Sequence, residues 1–133
     1  MIYVLDTNIC VYFLNGTFPS LAEEMARHAS AHLAITSISA AELFYGAYHS
    51  AKPARNLESL QVFFSDLQIL LFDSTAAREF GRLKEHARRA GKLPGPFDLL
   101  IASIVRSLGY TLVTHNVKEF SMLENLLITD WVR

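Results

Sequence analysis

The chain has 133 residues, 51% of them hydrophobic, and its 12 Lys and Arg nearly balance 13 Asp and Glu. That length suits a single domain spanning residues 1–133 with a real core, the composition excludes intrinsic disorder, and a net charge of −1 neither demands nor forbids a nucleic-acid partner. Apolar runs such as Leu99 to Val105 are too short to span a bilayer, and Cys10, the only cysteine, allows neither an internal disulfide nor a Cys-cluster metal site.

In chain order, Ile2 to Leu5 predicts a short buried strand and Thr7 to Leu14 an apolar helix ended by Asn15-Gly16. A helix over Pro19 to Ala29 and a strand over Leu33 to Thr36 follow, then a helix from Ser39 to about Tyr48. In Ala54 to Asp66, Leu57, Leu60 and Phe63 or Phe64 recur at helical spacing. Ile69 to Phe72 reads as a strand, and Ser74 to Ala90 as a long helix with a basic face. After Pro94-Gly95-Pro96 comes a helix from Phe97 to Leu108, then a strand over Tyr110 to Thr114, a helical turn at Val117 to Phe120 and a last strand at Leu127-Ile128. Short strands alternating with helices predict an α/β domain with a parallel sheet. The opening Met1-Ile2-Tyr3 lacks a basic stretch followed by an apolar core, so export is not expected; with the lone cysteine this fits a reducing cytoplasm.

Three acids stand alone. Asp6 is the only Asp, Glu, Lys or Arg before Glu23, Glu42 the only one from Ser30 to Ala51, and Asp98 the only one from Leu93 to Val105. Each has a purely structural reading. Asp6 can cap the helix that follows it, Ser39-Ala40-Ala41-Glu42 fits a capping box, and Asp98 can sit in the first turn of its helix. Jointly they point elsewhere. In an open parallel sheet, groups just past the carboxyl ends of strands gather in one crevice. Three converging carboxylates repel unless protonated or neutralised by a cation. Oxygen donors without His or Cys beside them select a hard ion, Mg²⁺ or Mn²⁺, and such a site suits phosphodiester hydrolysis. "LVTHNVKEF" adds Thr114 and Asn116 just after a strand; Asn116 is suited to orient a water or offer a carbonyl, or else simply to turn the chain.

The ordered set of "DTN" after the first strand, "ELFYGA", "GKLPGPFDLLIAS" and "THNVKEF" resembles the PIN-domain ribonucleases. Within them it is similar to the VapC toxins of bacterial type II VapBC toxin–antitoxin modules, from Asp6 to Trp131. The resemblance implies a three-layer α/β/α sandwich, a pocket binding Mg²⁺ or Mn²⁺ through Asp6, Glu42 and Asp98, and Thr114 as a supporting hydroxyl. It also implies homodimers and inhibition by a cognate VapB antitoxin. "ELFYGAYHS" and the closing "ITDW" resemble the subgroup that cuts initiator tRNA in its anticodon loop. The chain departs from the family pattern at Asn116, where many members carry a fourth acid; Glu119, one helical turn on, is expected to serve the surface.

Together these features predict a metal-dependent endoribonuclease in which Asp6 and Asp98 hold the principal ion and Glu42 completes an acidic cage. Six of the twelve basic residues lie between Arg78 and Lys92, and Lys84, Arg88, Arg89 and Lys92 are candidates for the RNA backbone. A solvated, ion-paired helix face accounts for that stripe equally well. The competing function is a degenerate PIN scaffold that binds RNA or protein without cutting. A phospho-acceptor receiver domain fits poorly, because Asp6 has no acidic neighbour.

Overall fold

The computed structural model describes every residue, Met1–Arg133. Five strands form one fully parallel sheet: β1 (Tyr3–Leu5), β2 (Leu33–Thr36), β3 (Gln68–Leu70), β4 (Thr111–Val113) and β5 (Leu127–Thr129), in the order β3-β2-β1-β4-β5. The chain builds outward from β1 through β2 to β3, then crosses back to lay β4 on the other side of β1. The carboxyl ends of β1 and β4 therefore flank the topological switch point.

The strands are short and apolar because helices cover both faces. Val4, Ala34 and Leu112 face a core shared with α5 (Ser74–Arg89) and α6 (Pro96–Leu108). The alternating Leu5, Leu33, Ile35 and Val113 face a second core with α1 (Thr7–Asn15), α2 (Pro19–Ala26), α3 (Ser37–His49) and α4 (Pro53–Ser65). This is the expected three-layer α/β/α sandwich. A four-residue helix, α7 (Val117–Phe120), follows β4. No helix is long and apolar enough to cross a membrane.

Local chemistry explains most boundaries. Gly16 and Gly109 take left-handed conformations, φ 65° and 70°, and close α1 and α6. Proline occupies the first turn of α2, α4 and α6, where its missing N–H is no loss. Three elements have an end displaced by two residues or more from expectation. The second helix ends at Ala26, ahead of a 3₁₀ turn at Ser30–His32. The third strand is Gln68–Leu70 rather than Ile69–Phe72, because the chain leaves the sheet towards Asp73, whose carboxylate caps α5 by accepting from the Ala76 amide. The third helix starts at Ser37, two residues early, because Thr36 caps it by accepting from the Ser39 amide at 3.1 Å.

That last difference removes a structural role for Glu42. With Thr36 as the cap, Ser39 lies inside the helix and no capping box forms, so Glu42 is free to face elsewhere. The aromatic side chains also divide. Phe13, Phe63 and Phe64 pack against the α1–α4 core, whereas Tyr45 and Tyr48 on α3 stand more than two-thirds exposed. Cys10 is fully buried, and burial pushes its thiol far above the usual range, so it behaves as a core residue.

Candidate active site

At the switch point lies a pocket of about 290 Å³ whose lining includes Asp6, Thr7, Glu42, Phe97, Asp98 and Asn116. The sheet sets its floor. The Asp6 amide donates to the Val113 carbonyl at 3.0 Å, which carries the β1–β4 pairing one residue past the strand and brings Asp6 beside Thr114.

Asp6 is only 4% exposed. Its Oδ1 accepts from the Ile9 amide at 2.8 Å, so it does cap α1, and the Thr114 hydroxyl also supports it. Burial nevertheless pushes its carboxyl above the ordinary range against those two hydrogen bonds, with Asp130 and Glu42 adding repulsion. A capping role and a site role thus coexist in one carboxylate.

Glu42 is held by a proton chain that no local sequence pattern announces. Thr7 Oγ1 lies 2.7 Å from Glu42 Oε1 and 2.9 Å from Ser39 Oγ. A hydroxyl has one proton, and a carboxylate can only accept. Thr7 therefore donates to Glu42 and Ser39 donates to Thr7. Ser39, itself fully buried, fixes the chain to the first turn of α3.

Asp98 lies in the first turn of α6 and is about half-buried. Burial, then the charges of Glu119, Asp6 and Glu42, push its carboxyl up to about 6. Repulsion of this kind marks a carboxylate that shares a crevice with other acids. Asn116 does not cap α7 with its side chain; its amide nitrogen donates to Glu119 Oε2 at 2.6 Å, and its backbone N–H donates to Thr114 Oγ1 at 3.0 Å. Glu119 Oε1 accepts from the Gly95 amide at 3.2 Å. Glu119 was expected at the surface, and both contacts are exposed; they also tie the Asn116 side chain to the Gly95 loop beside the pocket, close enough for its charge to act on Asp98. Sequence reasoning also missed Thr7 and Asp130, the latter paired with His115 at 2.9 Å.

The donor set is all oxygen, desolvated and self-repelling, which fits a hard divalent cation. The acids line one pocket without closing on a common point, since no three His, Cys, Asp or Glu side chains form a ready-made cluster. An open arrangement suits Mg²⁺, which takes one or two carboxylates and retains several waters.

The basic candidates separate. Arg88 and Arg89 are bound to Glu85, and Lys84 sits over the Phe80 ring at 5.6 Å, so most of the α5 stripe is a locally satisfied helix face. Lys92 instead lines a depression that shares Asn116 with the pocket.

Comparison with known proteins shows the family. A PIN domain matches residues 3–124. Ribonuclease VapC2 of Rickettsia felis is 40% identical over 98% of both chains, and the tRNA(fMet)-specific endonuclease VapC of Shigella flexneri is 36% identical over 97% of both. The chain belongs to the VapC ribonuclease family of PIN domains. Its fold agrees: VapBC from Salmonella typhimurium, solved bound to DNA, superposes with a TM-score of 0.94 at 34% identity, covering 98% of each chain.

Proposed function

We propose that this chain is an endoribonuclease toxin that hydrolyses RNA phosphodiester bonds in a Mg²⁺- or Mn²⁺-dependent reaction. The observation that carries the reading is the meeting of Asp6, Glu42 and Asp98 in one pocket at the sheet's switch point, from three elements far apart in sequence. Asp6, Asp98 and Glu42 are the residues that would hold the cation. When bound, such an ion offsets the charge that develops on phosphate oxygens and acidifies the attacking water. The chain's own residues supply rigidity: Thr114 and the Ile9 amide fix Asp6, Thr7 fixes Glu42, and Glu119 fixes the Asn116 amide.

The favoured substrate is a tRNA cut in its anticodon loop, with initiator tRNA first. This rests on the similarity to the Shigella flexneri tRNA(fMet)-specific endonuclease. A VapB-type antitoxin is the proposed neutralising partner, supported by the likeness to VapBC2 of Rickettsia felis, at 38% identity and a TM-score of 0.92. The exposed Tyr45 and Tyr48 rings offer apolar area for a homodimer or for that antitoxin. The competing reading, a scaffold that binds without cutting, draws on Asn116 in place of an acid; Glu119 beside it weakens that reading.

The test is to incubate purified protein with total tRNA, with Mg²⁺ or with EDTA, and to sequence the new RNA ends. One discrete cut that vanishes with EDTA supports the proposal. Intact tRNA in Mg²⁺ and in Mn²⁺ removes it.

A further inference from the structure

Of the twelve Lys and Arg side chains, Arg27, Arg82, Arg88, Arg89, Arg106 and Arg133 are in ion pairs with carboxylates. Three of the remaining six border the acidic pocket. On one side, Lys92 and Lys118 line a depression of about 360 Å³ that meets the pocket at Asn116. On the other, Arg55 lines a groove of about 500 Å³ between α1, α3 and α4 that meets the pocket at Thr7 and Glu42. The three hollows share residues at each junction, so they form one trough: acids in the middle, Arg55 at one end, and Lys92 and Lys118 at the other with Glu119 beside them. Phe97, an apolar ring 55% exposed, lines the central hollow.

A polyanion cannot rest on an acidic pocket unless charge on either side holds it, and free cations on both flanks supply that hold. A wet aromatic ring between them fits an unpaired base, which stacks on such a face without regard to sequence. We propose that a single RNA strand crosses the site along this trough, its phosphates gripped by Lys92 and Lys118 on one side and by Arg55 on the other, with an unpaired base on Phe97. The proposal rests on the ribonuclease reading and adds the path and the residues that bind. It moves the RNA contact away from α5, keeping Lys92 but replacing Lys84, Arg88 and Arg89 with Lys118 and Arg55.

The test uses full-length Asp6→Asn protein in Mg²⁺ and a short fluorescein-labelled single-stranded RNA, with binding read by anisotropy across a salt series. Against that background, Arg55→Ala should flatten the slope of log affinity against log salt by about 0.7, and Lys92→Ala/Lys118→Ala by about 1.4. Each lost cation should weaken binding about two- to fivefold. Phe97→Leu should weaken it about fivefold or more without changing the slope. Arg88→Ala/Arg89→Ala, the control on α5, should leave the slope as it was. Unchanged slopes in the first two variants overturn the trough, and a flattened slope in the α5 control relocates the path to that helix. Cleavage of tRNA by the wild-type protein is measured in parallel. Cleavage with unchanged slopes means the trough alone fails; neither cleavage nor binding means the ribonuclease reading fails and takes the trough with it.

Discussion

Thr7 Oγ1 donates to Glu42 Oε1 at 2.7 Å, joining the first turn of α1 to the second turn of α3 across the mouth of the acidic pocket. Thr7→Val keeps the shape, removes the donor, and strips Ser39 of its acceptor. RNA cleavage should fall about 10- to 100-fold, the usual consequence of releasing a ligand's orienting partner. Stability should fall by about 1 kcal/mol. Thr7→Ser, which restores the hydroxyl, should recover most activity; equal cleavage by Thr7→Val and wild type would remove the relay from catalysis.

Asp6 carries two roles that substitution separates. Asp6→Asn preserves an N-cap, whereas Asp6→Ala loses it at about 0.5–2 kcal/mol. Both should abolish cleavage. Because burial disfavours the Asp6 charge, Asp6→Asn should be at least as stable as wild type when metal-free. Urea titrations in EDTA measure the difference, and a strongly destabilised Asp6→Asn would contradict this account of the buried carboxylate.

The pH dependence has a definite sign. Asp98 releases its proton near 3.8 when unfolded but at about 6 when folded, so the folded state holds the extra proton in between. Metal-free stability from this group is therefore greatest at low pH and declines as pH rises through 6. Asp6, also raised, adds the same sign. Glu79 and Glu85, lowered by their arginines, act oppositely, but their contribution is already complete above about pH 5. Melting temperatures in EDTA should fall between pH 5 and pH 7, and less so in Asp98→Asn. Mg²⁺ must displace that proton, so its stabilising effect should be larger at pH 7 than at pH 5.

Glu119 exerts the largest charge effect on Asp98. Glu119→Gln can keep one contact to the Gly95 amide or to Asn116 while removing the charge. The acidic limb of the pH–rate profile should move to lower pH, with the fold intact by circular dichroism. An unmoved limb would show that Glu119 does not tune the site.

The sequence alone determined what depends on neighbours within about one helical turn: strand alternation, the Asp6 cap, the glycine stops, and three acids each isolated in apolar surroundings. Those signals are local because helix and strand periods are short. It misplaced the start of α3, since Thr36 and Ser39 are both good caps and only the strand's end chose between them. The tertiary structure decided the rest. Pairing β1 with β4 set Asp6 beside Thr114, α1 against α3 gave Glu42 its Thr7 donor, and α7 against the Gly95 loop brought Glu119 to Asp98. These contacts join residues that no periodicity relates, and only burial of the sheet's two faces brings them within reach of one another.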